Sequence, residues 1–315
     1  MVKESAFSTL FMQAGVNPQS MDPAISGDSV VNLKLPHCKV AAVIDGAWVR
    51  GFENAPHGFD IAHWSSSTIA HLFELHASNL GSGLTARAIV EKTIPDYAAR
   101  CDDVFRAHGQ RLTPPSPYED IDPRKLNPQS AFALVVVKPD KVEIAQVRDC
   151  VVFAEDHAGK ITRLTPNQSS TVDNATSTMD IQHEGMAAYV AAMRAAHKPA
   201  FFEMLRQHMD SLFLAHNSYN FLNQPAKSPA SWGMMTGEED MLPLMTHLTL
   251  KGPLPKRLWV TSDGAFKRGS PIEDMAHIRD LGPQQYYETM HKQRFDCHHP
   301  TIAPVDVTIG SIELA

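Results

Sequence analysis

The chain has 315 residues, of which 43% are hydrophobic and 20% are charged, and its formal net charge is −7. A chain of this length buries roughly three quarters of its unfolded surface, so it can form a large core in one or two domains. The negative charge argues against a general nucleic-acid-binding protein, or one that binds anionic membranes, because phosphate groups attract clustered positive charge. The longest apolar run, Ala131 to Val137, is too short to cross a bilayer.

Strand and helix patterns alternate along the chain. The predicted strands cover residues 28–35, 39–45, 131–138, 142–147, 150–154, 161–164, 242–250, 257–262 and 305–314. The predicted helices cover residues 60–80, 84–108, 186–214 and 284–294. Because hairpins outnumber crossover connections in this order, the pattern favours two antiparallel sheets flanked by helices, an α+β fold, over a parallel α/β fold.

The connections between these elements indicate one domain over residues 1–315, since none is long enough to be a linker. Residues 165–180 are rich in Ser, Thr and Asn, which predicts a mobile segment. We expect a less ordered N-terminus over about residues 1–25, with no apolar run of signal-peptide length. Pro95 predicts a kink or an interruption in the second helix.

The four cysteines show no paired spacing. They are Cys38, Cys101, Cys150 and Cys297. Two of them fall in predicted strands, and the set predicts free thiols in a reducing cytoplasm.

Acidic residues lie at or near the ends of three predicted strands. Asp45-Gly46 closes one apolar run, Asp263-Gly264 closes another, and Asp306 lies in a third. Glycine accepts the positive φ that a turn needs, so each Asp-Gly pair by itself is explained by a turn. Several aspartates brought together repel one another unless a cation lies between them, and Mg²⁺ or Mn²⁺ suits carboxylate oxygens. The three together predict a shared divalent-metal site.

Four blocks of sequence occur in an order that resembles the bacterial form of the metal-dependent protein phosphatase 2C family. They are VAAVIDG (Val40 to Gly46), the hairpin Ser130 to Phe153, RLWVTSDGAF (Arg257 to Phe266) and VDVTIGSIEL (Val305 to Leu314). The resemblance runs from about Asp28 to Leu314. It implies an α-β-β-α sandwich with a two-ion Mg²⁺ or Mn²⁺ site at one end of the sheets, at which a metal-activated water hydrolyses phosphoserine and phosphothreonine.

The resemblance assigns roles to individual residues. Asp45 would bridge two ions, Gly46 would offer its backbone carbonyl, and Asp263 would bind the second ion. Asp149 matches the aspartate of the family's Gly-Asp-Ser block, near the metal cluster. Arg50, close to Asp45 in sequence, is a candidate for binding the substrate phosphate by bidentate hydrogen bonds, although an ordinary solvated arginine is the simpler explanation.

Three departures from the family pattern bear on activity. Gly27 stands where the family has a glutamate, Arg148 precedes Asp149 where the family has a glycine, and Val305 stands at the position of a metal-binding aspartate. Asp306 is the neighbour of that position, and successive strand residues point to opposite faces. These departures predict fewer metal ligands and lower metal affinity.

Three functions stay open at this point. The first is a metal-dependent phosphoprotein phosphatase, and the second is a pseudophosphatase that keeps the fold and binds a protein partner. The third is hydrolysis of a small phosphorylated metabolite. The sequence does not choose among their substrates.

Overall fold

A computed structural model of the chain describes most of the residues predicted to form strands. The described residues are 7–13, 26–47, 52, 55–56, 59–111, 123–166, 222–223, 233–262, 271–296 and 307–314. The predicted helix over 186–214 and residues 167–180 of the predicted mobile segment lie outside them. No helix among the described residues is long and apolar enough to cross a membrane.

The described strands and helices follow the predicted order closely. The strands are β1 (Phe7–Gln13), β2 (Asp28–Leu35), β3 (Cys38–Ala47), β4 (Gln129–Val137), β5 (Lys141–Val147), β6 (Val151–Glu155), β7 (Ile161–Arg163), β8 (Thr246–Lys251), β9 (Arg257–Thr261) and β10 (Val307–Glu313). The α-helices are α1 (Ile61–Asn79), α2 (Ala86–His108), α3 (Pro271–Leu281) and α4 (Pro283–Asp296).

These strands form two antiparallel sheets. The first sheet has the order β2-β3-β4-β5-β8, and the second has the order β1-β10-β9-β6-β7. Every pairing between neighbouring strands is antiparallel. The predicted α+β class with two antiparallel sheets is confirmed.

Strand alternation explains how the sheets and helices stack. In β3, Val40, Ala42 and Ile44 contact the apolar layer beneath α1 and α2. Ala41 and Val43 point the other way, into an apolar layer shared with the second sheet. A third layer packs α3 and α4 against the outer face of the second sheet. The order of layers is therefore helix, sheet, sheet, helix.

Side chains cap the two helices that cover the first sheet. The Asp60 side chain accepts a hydrogen bond from the His63 amide, and the Thr85 side chain accepts one from the Ala88 amide. Helix α2 continues through Pro95, so the predicted interruption is wrong. The carbonyl deprived of its partner is that of Glu91, an exposed residue whose backbone can be hydrated.

Three elements differ from the sequence predictions. Strand β1 lies inside the stretch predicted to be less ordered and pairs with β10. Helix α3 was not predicted. The strand predicted from residue 242 begins at Thr246, after a 3₁₀ turn over Glu239–Leu244 that contains Pro243. Proline has no amide hydrogen for a sheet ladder, which explains the later start.

A buried carboxylate joins the first sheet to the start of α2. Glu143 is 3% exposed, and its carboxylate accepts hydrogen bonds from the Ala86 amide (3.2 Å) and the Lys141 ammonium (2.7 Å). Burial opposes ionisation of Glu143, but these hydrogen bonds and the charges of Lys138 and Lys141 hold its pKa below the ordinary value. The ionised carboxylate therefore stabilises the fold.

We expect Glu143→Gln to lower the free energy of unfolding by about 1–3 kcal/mol at neutral pH. Because the pKa of Glu143 is lower in the folded chain than in the unfolded chain, its contribution is present at neutral pH. That contribution is lost as the pH falls below about 4. Urea denaturation of both proteins at pH 7 and at acid pH tests this. The difference in the free energy of unfolding between wild type and Glu143→Gln should shrink in acid. A difference that is equal at both pH values would contradict this prediction.

Candidate metal centre

Two aspartates face each other at one end of the first sheet. Asp28 is the direct partner of Asp45 in the pairing of β2 with β3. Two residues further along the same strands, Val30 and Val43 are also partners, and both contact the apolar layer between the sheets. Because strand residues alternate between faces, the two carboxylates lie on the face toward the second sheet.

The surroundings of this pair favour a bound cation. Asp28 is 2% exposed, and Asp45 is half-buried. Directly opposed strand residues have Cβ atoms about 4.5–5.5 Å apart, so two ionised carboxylates there repel each other. Hard divalent cations bind carboxylate oxygens and offset such repulsion. The pair can therefore supply two oxygen ligands to one ion.

Gly46, near the end of β3, packs tightly against the start of α1. A Cβ atom at this position would lie 2.0 Å from the Ala62 carbonyl oxygen and 2.8 Å from the Gly27 carbonyl oxygen. The Gly46 amide donates a hydrogen bond to Gly27 (3.2 Å). Strand β3 continues through Gly46, so a turn at Asp45-Gly46 was the wrong explanation of that pair. The glycine is required by the close approach of the helix backbone.

The same end of β2 is also tied to α1 through Ser26. The Asp28 amide donates to the Ser26 hydroxyl (3.1 Å). Nδ1 of His63, in the first turn of α1, lies 2.8 Å from the Ser26 carbonyl oxygen. A hydroxyl contact between Ser29 and Ser66 (2.8 Å) adds a further link between β2 and α1. These contacts fix the backbone that holds Asp28.

Asp149 lies in the turn that joins the two sheets at this end. The turn follows β5, whose last residue, Val147, pairs with Phe132, and the neighbouring Ala131 pairs with Asp45. Asp149 is 9% exposed, and one of its carboxylate oxygens lies 3.4 Å from Nε of Arg148. The prediction that Asp149 lies at the same end as Asp45 is consistent with this topology, two strands away.

The remaining predicted site residues, Asp263, Asp306 and Arg50, lie outside the described residues, as does Gly264. The structure describes the residues next to two of them. The Ser262 amide donates to the Thr308 carbonyl (3.0 Å), and the Thr308 amide donates to the Ser262 hydroxyl (2.9 Å). Asp263 follows Ser262 directly in sequence, and Asp306 precedes Thr308 by two residues.

The described residues offer oxygen ligands, which suit a hard cation, but too few of them to surround an ion. Within the part of the chain that the structure describes, no group of three or more His, Cys, Asp or Glu side chains is placed to hold an ion. Asp28 and Asp45 would supply two carboxylates, and the sequence prediction adds the backbone carbonyl of Gly46. Asp263 and Asp306, the predicted ligands that lie outside the described residues, would add two more carboxylates.

Sequence reasoning missed Asp28 as a site residue. The match to the family block placed a glycine, Gly27, where a carboxylate was expected. The sequence nevertheless indicates that Asp28 pairs with Asp45, because the two residues are equidistant from the predicted turn at Pro36-His37. A tight hairpin pairs residues that are equidistant from its turn.

No protein-family model and no curated protein matches the sequence of this chain. Solved structures match its fold. The serine/threonine phosphatase PstP/Ppp of Mycobacterium tuberculosis superposes with a TM-score of 0.52 at 14% identity, over 100% of this chain and 99% of that chain. The catalytic domain of PstP in complex with two manganese ions gives 0.52 at 10% identity, over 98% and 97%.

A third structure, a bacterial serine phosphatase, also gives a TM-score of 0.52, at 11% identity over 99% of this chain and 98% of that chain. Identities at this level show a shared fold. The chain has the α+β fold of the bacterial 2C-type phosphatases, as the sequence resemblance implied.

Proposed function

From this fold and from the opposed carboxylates of Asp28 and Asp45, we propose that the chain is a metal-dependent phosphatase that hydrolyses phosphoserine and phosphothreonine in proteins. The observation that carries the proposal is the opposed pair of Asp28, which is buried, and Asp45, which is half-buried, at the sheet end that also holds Asp149. A buried pair of like charges is costly to keep without a cation. The position of the Asp28–Asp45 pair at the end of the sheet supports a metal-dependent activity.

We propose that Asp45, Asp28, Asp263 and Asp306 hold Mn²⁺ or Mg²⁺, with the Gly46 carbonyl as a further ligand. When bound, such an ion lowers the pKa of a coordinated water and neutralises charge that develops on the phosphoryl oxygens. The chain itself supplies a rigid frame, because Gly46 and Ser26 tie the ends of β2 and β3 to α1. We propose Asp149, which is buried at the same sheet end, as a further residue of the metal site.

Substrate binding needs a cation outside the metal ligands. We propose Arg50 for this role, because a guanidinium can bind two phosphate oxygens at once. We expect a phosphoprotein to be the partner of this site. The three cysteines described by the structure, Cys38, Cys101 and Cys150, are buried thiols, which supports a reducing, cytoplasmic location.

The experiment is an assay of phosphate release from metal-stripped protein with and without Mn²⁺. The substrates are p-nitrophenyl phosphate, a phosphoserine peptide and a panel of small phosphorylated metabolites. We expect Mn²⁺-dependent release from the first two. Release from metabolites alone would replace the protein substrate with a small molecule, and no release with any substrate would contradict the proposal.

A second candidate function is a pseudophosphatase that binds a phosphoprotein or a protein partner without turnover. One observation favours it, namely the ion pair between Arg148 and Asp149 at the carboxylate end. Gly27 and Val305, where the family has acidic residues, also favour it. A folded protein that binds a phosphopeptide but shows no metal-dependent turnover would establish this function in place of the first.

A further inference from the structure

Arg148 has an unusual backbone conformation at the end of the first sheet that holds Asp28, Asp45 and Asp149. Its φ is +65°, in the left-handed region that glycine adopts freely and other residues rarely adopt. The Gln146 side chain donates a hydrogen bond to the Arg148 carbonyl (2.7 Å), which helps to fix the turn. A glycine would meet the needs of this turn with less strain. The arginine at this position therefore has a backbone cost that a glycine would not have.

The side chain of Arg148 lies beside Asp149. Its Nε atom is 3.4 Å from the Asp149 Oδ2 atom, and the two side chains are only 18% and 12% exposed. Partly buried charges are screened less than exposed charges, so the guanidinium and the Asp149 carboxylate attract each other at this distance. The turn belongs to the same sheet end as Asp45. The chain thus places a cation beside Asp149, at the sheet end that also holds Asp45.

We propose that Arg148 determines the metal occupancy of the site by acting as a fixed cation that lowers its affinity for divalent ions. This inference rests on the proposed function, because it concerns the same metal site. The number of negative charges tunes the affinity of oxygen sites for hard cations. Arg148 removes one charge by pairing with Asp149 and repels an incoming ion.

The test is calorimetric titration of metal-stripped protein with Mn²⁺, using three variants that separate charge from backbone strain. Arg148→Lys keeps the charge, Arg148→Ala removes the charge and keeps the strain, and Arg148→Gly removes both. We expect Arg148→Ala and Arg148→Gly to bind Mn²⁺ about 10-fold more tightly than wild type. We expect Arg148→Lys to stay close to wild type.

Thermal unfolding without metal gives a second readout. We expect Arg148→Gly to have a higher Tm than Arg148→Ala, because only glycine adopts the positive φ without strain. Arg279→Ala is the matched control, since Arg279 also pairs with a neighbouring aspartate (2.7 Å to Asp280) but contacts the loop after the far end of β6. Its Mn²⁺ affinity should equal that of wild type.

The outcomes separate this inference from the proposed function. Unchanged or weaker Mn²⁺ binding by Arg148→Ala, in a protein whose wild type is an active Mn²⁺-dependent phosphatase, would overturn the inference alone. Tight Mn²⁺ binding by Arg148→Ala, in a protein whose wild type neither binds Mn²⁺ nor turns over, would support the inference and contradict the proposed activity.

A third outcome concerns phosphate. If Arg148→Ala loses affinity for inorganic phosphate while its Mn²⁺ affinity is unchanged, Arg148 binds the substrate, and the inference is overturned. The same titrations with inorganic phosphate as the probe decide this.

Discussion

Asp45→Asn should lower Mn²⁺-dependent hydrolysis of p-nitrophenyl phosphate by more than about 100-fold. Mutation of a residue that only supports a metal ligand already costs about 10–100-fold, and Asp45 is proposed as a ligand itself. Asparagine keeps the size of the side chain and removes its charge. The measurement is kcat/KM for both proteins at the Mn²⁺ concentration that saturates wild type.

The control for this substitution is Asp140→Asn. Asp140 is an exposed residue in the turn between β4 and β5, at the end of the first sheet opposite Asp45. The activity of Asp140→Asn should equal that of wild type. Asp45→Asn activity within a few-fold of wild type would remove Asp45 from the proposed mechanism.

Asp45→Asn should also change the thermal stability of the protein. In the absence of metal, Asp45→Asn should unfold at the same temperature as wild type or at a higher one, because it relieves repulsion with Asp28. With saturating Mn²⁺ the order should reverse, since only wild type gains stability from binding. A large drop in Tm without metal would show that the Asp45 carboxylate has a structural role.

Gly46→Ala should be among the most destabilising single substitutions in the chain. The added Cβ atom would lie 2.0 Å from the Ala62 carbonyl oxygen, which belongs to the backbone of α1 and cannot rotate away. Either α1 or the end of β3 must move. We expect a loss of about 3 kcal/mol or more in the free energy of unfolding, at the upper end of overpacking effects.

Urea denaturation checks this value, with Gly83→Ala as the matched control. A Cβ at Gly83 would meet nothing within 4 Å, and this glycine has no positive φ. Its free energy of unfolding should stay within about 0.5 kcal/mol of wild type. If Gly46→Ala is as stable as Gly83→Ala, the close approach of α1 to β3 is wrong.

The strands could be predicted from their apolar patterns, but only three of the eight described pairings, β2–β3, β4–β5 and β6–β7, join successive strands and are local in sequence. The hairpin of β4 and β5 was predicted almost to its bounds, since its apolar run, its turn at Pro139-Asp140 and its return strand are contiguous. Strand β1 was missed because its partner, β10, lies at the other end of the chain. Nothing in the local pattern of residues 7–13 reports that pairing.

Helix α3 was missed although its signals were present. Pro271 begins it, Glu273 and Asp274 lie in its first turn, and Gly282, with a positive φ, follows its last residue. This combination is typical of a helix with favourable ends. The helix has only 11 residues, with Met275 and Ile278 as its buried apolar side chains, so few apolar positions repeat along it.

The candidate site was predicted only in part. Asp45, Gly46 and Asp149 were chosen because they match the family's blocks, but Asp28 emerges only from the register of β2 against β3. The role of Gly46 depends on α1, a contact that no local motif encodes. The left-handed conformation of Arg148 likewise depends on how the turn joins the two sheets.

The most direct test of a divalent-metal site at this sheet end is calorimetric titration of metal-stripped protein with Mn²⁺. We compare wild type with Asp45→Asn, Asp263→Ala and the control Asp140→Asn. The proposal predicts saturable binding by wild type and Asp140→Asn, and its loss in the other two. Absence of binding by wild type, or equal binding by Asp45→Asn, would contradict it.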